Sequence, residues 1–544
     1  MPTLHWVGKE KVVNHHHEVP FRVLTKVSTF RAPEGAPANS TDNRIIHGDN
    51  LEALKSLLPE FEGRVKCIYI DPPYNTGNEG WVYNDAVNDP KMKRWLGQVV
   101  GKEGEDLSRH DKWLCMMYPR LKLLHRLLRS DGVIFVSIND NESTHLGMLL
   151  NEVFGPENFI ANLVWKRKAG GGDDSEHVAT EHEYVLCFAK RKQQAKISRV
   201  NQESPAMTAK YNREEGGQRY YLERLDKTSL TYSESMDFPI ECPDGSFISP
   251  PHPDPKNPTT SWRWSVGTVS DRRSELEFVK EKKTKQWRVY TRTWEPTGGI
   301  TPRSLLVEND FGRNRDGTQE LDSILGPKVF NNPKPTKLLT HLFQMGASDK
   351  DALVLDSFAG SGTTAHAILK LNAQDNGNRR FILCELMDYA QTITAERVRR
   401  VMVGFGEGTK AAEGIGGGFD FYTVGEPMFL PDENLNETVG LVAIRSYVAY
   451  SEGIPATDRA TALNPYSPYL LGLNRDTAWL FHYEPDRATS LDMDFLAGLR
   501  FGGESGPVKP GTFIVYADRC LLSQAFMREH GIIFKKIPRD ITRF

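Results

Sequence analysis

Residues 71 to 74 read Asp71-Pro72-Pro73-Tyr74, continue into Asn75-Thr76-Gly77, and follow directly on the apolar run from Val65. Two prolines alone would stop a strand with a rigid turn, but such a turn needs neither an acid before them nor an aromatic after them. The combination suits an exocyclic amine on a nucleobase, a poor nucleophile because its lone pair is delocalised into the ring. Acceptors on its two N–H bonds draw the nitrogen towards tetrahedral geometry and aim the lone pair at an incoming methyl group. The Asp71 carboxylate is one such acceptor, and the Pro72 carbonyl, stiffened by Pro73, is the other. Tyr74 offers a face on which a base flipped out of a duplex can stack. Orientation and electrostatics then supply most of the acceleration.

The segment Asp356-Ser357-Phe358-Ala359-Gly360-Ser361-Gly362-Thr363-Thr364-Ala365 occupies a strand-to-helix junction. Its glycines permit a tight turn and close backbone approach, and a helix N-terminus favours an anionic group. Gly360, Gly362 and Ala365 also satisfy a dinucleotide-binding fingerprint, with Glu385 near the offset of an acid that binds ribose hydroxyls. From this segment alone, a nicotinamide dehydrogenase stands as an alternative, and Glu385 reads equally as a solvated strand cap. A P-loop is disfavoured, because no Lys-Ser or Lys-Thr closes the glycine run.

The elements that must position these residues alternate between strands and helices over 44–192 and again over 331–424, as halves of one α/β sheet. Strand Val65 to Asp71, helix Arg120 to Arg129 ending at Asp131-Gly132, and strand Val133 to Ile138 are expected in the first half. In the second, helices are expected over Pro335 to Met345, Thr363 to Leu371 and Tyr389 to Val403, with strands over Ala352 to Ser357 and Phe381 to Glu385. Between the halves, 193–330 is rich in Pro, Gly, Ser, Arg and Trp and reads as an inserted domain with many loops. Its Trp262, Arg263, Lys283, Lys285 and Arg288, with neighbouring aromatics, are candidate DNA contacts, since cations neutralise phosphates and aromatics stack on bases. A solvated face over a buried aromatic stripe is the competing reading. Residues 1–43 form an N-terminal arm. Residues 425–544 read as a smaller C-terminal unit for dimer or partner contacts, with β-like runs at Gly440 to Val448, Thr477 to His482 and Thr512 to Tyr516.

The 544 residues carry a formal net charge of −3, so DNA would have to be held by a local basic surface. Six scattered cysteines, with no C-x-x-C pair, indicate reduced thiols. His15, His16 and His17 read as a polar surface turn, and no metal is expected. No apolar stretch reaches the ~20 residues that span a bilayer, and no signal-peptide pattern opens the chain, so a cytoplasmic protein without membrane contact is expected.

The two motifs resemble those of the amino-methylating DNA methyltransferases in the permuted beta-class order, with the catalytic tetrapeptide first and the cofactor loop after the recognition region. Gly48-Asp49-Asn50 and Asn332-Pro333-Lys334-Pro335 match flanking motifs of that class. The resemblance implies a doubly wound mixed sheet of about seven strands, the permuted S-adenosylmethionine-dependent methyltransferase fold, carrying an inserted DNA-recognition domain. It implies that Asp49 contacts the adenine of S-adenosylmethionine, Glu385 its ribose, and Phe358, the Gly360 to Thr363 loop and Lys334 its methionine end, with Asp356 and Ala359 part of the same site. Asp at the head of the tetrapeptide favours adenine N6 over cytosine N4. Segments such as His5 to Pro20, Thr180 to Lys190, Trp262 to Ser265 and Gly317-Thr318-Gln319-Glu320 extend the resemblance to the modification subunit of type III restriction-modification systems. That family implies double-stranded DNA as substrate, a homodimer, and pairing with a helicase-nuclease restriction subunit. A stand-alone phage-defence enzyme is the alternative setting.

Overall fold

Val65–Ile70 is buried at every position, including Lys66, as only a strand covered on both faces can be. It sits inside a ten-stranded sheet in the computed structural model, which describes residues 3–76, 94, 97–99, 109–170, 177–200, 209–228, 231–254, 256–282, 284–307, 309–461, 464–501, 509–539 and 542. In chain order the strands are β1 (Arg22–Arg31), β2 (Arg44–His47), β3 (Val65–Ile70), β4 (Leu128–Ile138), β5 (Phe159–Lys166), β6 (His182–Ala189), β7 (Leu305–Leu306), β8 (Leu353–Asp356), β9 (Arg380–Glu385) and β10 (Gly418–Pro427). Across the sheet they run β1-β10-β2-β9-β8-β3-β4-β6-β5-β7. All neighbours are parallel except β1 against β10, and β6 against β4 and β5.

The expected seven-stranded sheet is its centre, β2 to β5 in spatial order, and three further strands widen it. One comes from the expected N-terminal arm and another straddles the expected boundary at 424. The arm's strand escaped the hydrophobic pattern because β1 is an exposed edge whose Thr, Lys and Ser residues leave little apolar alternation.

The principal helices of this unit are α1 (Asn50–Phe61), α2 (Arg109–Leu127), α3 (Ser143–Phe154), α4 (Asn314–Leu325), α5 (Thr336–Gly346), α6 (Thr363–Asp375), α7 (Glu396–Val403) and α8 (Leu441–Ser451). Successive side chains of a strand point to opposite faces, and β3 uses both. Ile68 and Ile70 join the core formed with Leu54 of α1, Leu121 and Leu124 of α2 and Leu146 of α3. On the other face, the Tyr69 ring meets Phe343 of α5 edge-on at 6.4 Å. A Cβ on Gly346 would collide with Val133 and Phe135, so the end of α5 lies directly on the sheet. Helices therefore cover both faces, the doubly wound arrangement.

Asp131-Gly132, expected to end a helix, instead lies within β4. Asp131 accepts from Arg129 at 2.7 Å and from the buried Lys66 at 2.9 Å, pairings that satisfy polar groups inside a strand. The helix expected over Tyr389 to Val403 opens as a π-turn, Gln391–Ala395, before α7.

The chain divides into two compact units, Met1–Ser198 with Arg303–Phe544, and Arg199–Pro302. The second unit is narrower than the expected insert, because β7 and α4 return to the first. It carries a four-stranded antiparallel sheet of Arg213–Glu215, Gln218–Arg224, Trp287–Trp294 and Leu276–Lys280. Its core is Leu225, Ile240, Trp262, Val269, Leu276 and Val289.

The C-terminal region does not separate from the first unit. It forms a second sheet of Leu470–Leu473, Thr477–Phe481, Thr512–Ala517 and Ile532–Lys536. The β-like run at Gly440 to Val448 is instead helix α8. Ile444, Val448 and Ala449 fall on one face and pack against Met428 and Trp479, and this burial outweighs the strand preference of the branched residues. The expected surface turn at His15 to His17 is a helical turn in which His16 is buried. No helix among the described residues is long and apolar enough to cross a membrane.

Asn43 ties the beginnings of three neighbouring strands together. It donates to the carbonyls of Ser40 at 2.9 Å and Gly418 at 2.8 Å and accepts from the Phe381 N–H at 2.8 Å, all in a buried setting. Asn43→Ala removes these bonds and leaves the buried Phe381 N–H without its partner, while the Ser40 carbonyl keeps the Gly418 N–H at 3.0 Å; it should lower unfolding free energy by about 2 kcal/mol in urea denaturation.

Candidate active site

β2, β9, β8 and β3 are adjacent and parallel, so the residues beyond their carboxyl ends share one edge of the sheet, where open α/β sheets bind ligands. That edge collects Asp49 after β2, Glu385 ending β9, Asp356 and the glycine turn after β8, and Asp71 after β3. Two stretches of chain separated by more than 260 residues thus meet.

Asp71 is held from two sides. Its Oδ1 accepts from the Tyr74 hydroxyl at 2.7 Å and its Oδ2 from the Lys334 ammonium at 2.7 Å. Lys334 also donates to the Tyr74 oxygen at 2.8 Å, so that hydroxyl accepts from lysine while passing its own proton towards Asp71. Glu183 lies 3.1 Å from the same hydroxyl and 3.4 Å from Lys334, and Arg167 faces its other oxygen at 3.4 Å. Each Asp71 oxygen keeps a second lone pair, and the side chain remains 20% exposed, so the carboxylate can accept from an incoming amine. Burial, and then the charge of Asp71, raises the Tyr74 phenol well above its ordinary range, so it stays a neutral donor. The turn is pinned by Trp113, whose indole N–H donates to the Pro73 carbonyl at 2.6 Å.

The sequence suggests Tyr74 as an open stacking face. Here the ring is 8% exposed and the Lys334 ammonium lies 5.0 Å from its centre. A base can stack there only after Lys334 moves aside. Lys334, assigned by resemblance to the cofactor's methionine end, is joined in this structure to the Asp71 carboxylate.

The glycine turn is braced by its own surroundings. Gly360 and Gly362 adopt φ of 50° and 79°, which suits residues without a Cβ. Asp356 accepts from the Phe358 N–H at 3.0 Å and the Thr364 hydroxyl at 2.6 Å. Glu385 accepts from the Gly360 N–H at 2.7 Å and the Met387 N–H at 2.9 Å. Thr394, carried on the π-turn, donates to the Gly360 carbonyl at 2.6 Å. The fully buried Arg397 donates to Ser361 at 2.9 Å and Thr363 at 2.7 Å. Between the turn and the tetrapeptide lies a small cleft of about 30 Å³, lined by Asp71, Lys334, Asp356, Phe358, Ala359, Gly360, Ser361 and Thr363. Asp49 borders this edge as the cap of α1, accepting from Leu51 N–H at 2.7 Å.

The DNA-contact candidates divide. Trp262 is 1% exposed, and its indole donates to the Phe238 carbonyl at 2.7 Å, so it belongs to the insert's core. Arg263 is spent on the Arg224 carbonyl, Glu223 and Thr291. Both are structural: the apparent basic-aromatic pair is a buried strand and its clamp. Lys285 and Arg288 do line a groove, together with Trp287 and the exposed Phe247. Lys283 lies outside the described residues.

Several supporting residues went unassigned in the sequence. Glu183, a lone acid in the otherwise apolar run of β6, was the readable clue, because a buried charge needs a partner. Glu320 accepts from the Thr336 hydroxyl at 2.6 Å and pairs with Arg397 at 3.4 Å, tying α4, α5 and α7 together. A Cβ on Gly317 would strike the Pro333 carbonyl, so glycine there lets α4 press on the segment carrying Lys334.

A doubly wound sheet, with an acid-headed tetrapeptide and a glycine turn at adjoining strand ends, defines an α/β protein with its cleft at the carboxyl edge. The chain belongs to the DNA methylase family N6_N4_Mtase, whose sequence profile matches residues 65–396. It is 33% identical over 413 residues to the type III restriction-modification enzyme EcoPI Mod subunit of Escherichia phage P1, covering 70% of this chain and 62% of that one. It is 33% identical to the StyLTI Mod subunit of Salmonella typhimurium over 64% of this chain and 53% of that protein. The type II methyltransferase M.KpnI of Klebsiella pneumoniae is 32% identical over 64% of this chain and 82% of its own. The chain thus spans less than two thirds of the length of these two Mod relatives.

Burial pushes both Asp356 and Glu385 up to about 7, against the hydrogen bonds each accepts. An acid whose folded pKa exceeds its unfolded value binds its proton more tightly when folded. Its burial therefore costs nothing below the ordinary value of 4.5 and destabilises progressively as pH rises through about 7. Relative to the wild type, the melting temperature of Glu385→Gln should rise between about pH 5 and about pH 8. A pH-independent offset in differential scanning calorimetry would contradict the raised pKa of the buried Glu385.

Proposed function

We propose that this chain is a site-specific DNA methyltransferase that methylates the N6 amine of adenine in double-stranded DNA, with S-adenosylmethionine as donor. The observation that carries the reading is the cleft shared by Asp71 and the glycine turn, in a member of the DNA methylase family. The residues present fit the donor. The turn offers backbone at close range, Glu385 a carboxylate for ribose hydroxyls, and Phe358 an aromatic face suited to a cationic sulfonium. Asp49 would meet the adenine end, and Asp356 and the turn through Thr363 the amino-acid end. S-adenosylmethionine supplies an electrophilic methyl group, and its sulfur retains the electron pair of the broken bond.

The chain's own residues do the rest. Asp71 and the Pro72 carbonyl accept the two N–H bonds of the flipped adenine and turn its lone pair towards the methyl. As the N–C bond forms, the amine sheds one proton to the Asp71 carboxylate, which releases it to solvent. Lys334 and Tyr74 keep that carboxylate aimed into the cleft. Withdrawal of Lys334 would uncover the Tyr74 ring, and an anionic group at the amino-acid end of the donor would favour that withdrawal. Asp at position 71 supports adenine over cytosine.

Lys285 and Arg288 in the insert are proposed to meet the DNA backbone, and the basic run of the sequence extends this role to Lys283. The similarity to Mod subunits supports a role as the modification and recognition subunit of a type III system, as a cytoplasmic homodimer paired with a helicase-nuclease subunit. Single-molecule sequencing of genomic DNA from cells with and without this chain tests the reading. The expected result is N6-methyladenine at one short motif, on one strand, only in cells that express it. Modified cytosine would overturn the target assignment, and unmodified DNA would overturn activity by the chain alone.

A further inference from the structure

Past the tetrapeptide, at the same edge of the sheet, the chain assembles a second group of functional side chains. β4 ends at Ile138, and the following turn leads to Glu142, which immediately precedes α3 and is fully buried. Glu142 Oε1 faces His110 Nδ1 at 2.7 Å, and its Oε2 faces His145 Nδ1 at 2.8 Å. Glu142-Ser143-Thr144-His145 spaces acid and imidazole three apart, so both fall on one side of α3, while His110 comes from the first turn of α2. One ligand atom from each of the three lies within 4.8 Å of the other two. The imidazoles are 41% and 34% exposed, so the group borders solvent through its histidines while the carboxylate lies beneath them.

Two imidazoles and one carboxylate form the donor set of open zinc sites, where water completes the coordination. Bonds of ~2.0–2.1 Å place tetrahedral ligand atoms about 3.3 Å apart. The two N···O pairs would therefore open by roughly 0.5 Å, and ligand atoms now up to 4.8 Å apart would close by as much as ~1.5 Å, a movement within reach of rotating half-exposed imidazoles. Imidazole ligands select zinc, cobalt or nickel over magnesium and calcium.

A second observation comes from Asn75, the residue after Tyr74. It is completely buried with φ of 59°, and its amide nitrogen donates to Glu142 Oε1. Its carbonyl oxygen, also buried, has no hydrogen-bond partner among the described residues. The loop thus carries an unsatisfied oxygen beside the His-Glu-His group and shares its carboxylate.

We propose that His110, Glu142 and His145 bind a divalent transition ion of the zinc type, anchoring Asn75, directly after the tetrapeptide, to the starts of α2 and α3. The ion is placed outside the methyl-transfer cleft and does not enter that reaction.

The test is cobalt titration of the full chain, followed by visible absorption, with zinc as competitor and circular dichroism to verify folding. His110→Ala/His145→Ala changes only half-exposed side chains, and comparison with it cancels any metal held by His15 to His17. Glu142→Gln is the second variant. The wild type should bind one equivalent more than the double variant, with a ligand-field band that zinc abolishes and that Glu142→Gln loses. Equal stoichiometry and spectra in the wild type and the folded double variant would overturn the proposal, as would a wild type that shows no saturable band.

Discussion

The ammonium of Lys334 between Asp71 and Tyr74 is the contact on which the arrangement turns. A carboxylate at a strand end is aimed only if something holds it, and here the cation arrives from 263 residues further along the chain. The parallel pairing of β3 with β8 makes this meeting possible, because it sets the tetrapeptide and the glycine turn at the same edge. Lys334 is nearly buried, so its charge needs carboxylate partners, and it has Asp71 and Glu183. Through Glu320, Thr336 and Arg397, the helices that carry the lysine segment are tied to the glycine turn. The tetrapeptide and the glycine turn therefore form one connected polar framework.

The sheet has consequences for the rest of the chain. Its sequential halves flank Arg199–Pro302 along the chain, a unit with its own core around Trp262 and Leu225. The C-terminal segment is integrated differently. Arg459 donates to the Pro59 carbonyl at 3.0 Å, and Arg126 donates to Tyr450 at 2.6 Å, so it buttresses α1 and α2.

Much of this was legible in the sequence, for identifiable reasons. β3, β8 and β9 are short, apolar and end in turn residues or acids, so both their type and the place of Asp71, Asp356 and Glu385 could be read from pattern alone. β1 was not legible because a polar edge strand lacks the alternation that betrays a buried face. The run at Gly440 misled because branched residues favour strands until tertiary packing decides otherwise. Trp262 and Arg263 looked like a nucleic-acid surface because composition cannot distinguish a stacked aromatic from a core aromatic. Glu183 could be flagged as a lone acid in an apolar strand, but its partners, like those of Arg397, stand far away in sequence, and no local spacing names a contact made only by folding.

The most direct measurement of the role given to Asp71 compares the wild type with Asp71→Ala in one preparation. Calorimetry would give S-adenosylmethionine affinity, and single-turnover transfer of labelled methyl to duplex DNA would give the rate. The expected result is an affinity within about threefold of the wild type, with transfer slowed at least ~1000-fold, the loss of about 4 kcal/mol of transition-state stabilisation. Transfer within about tenfold of the wild type would contradict the assignment of Asp71 as the acceptor that activates the amine.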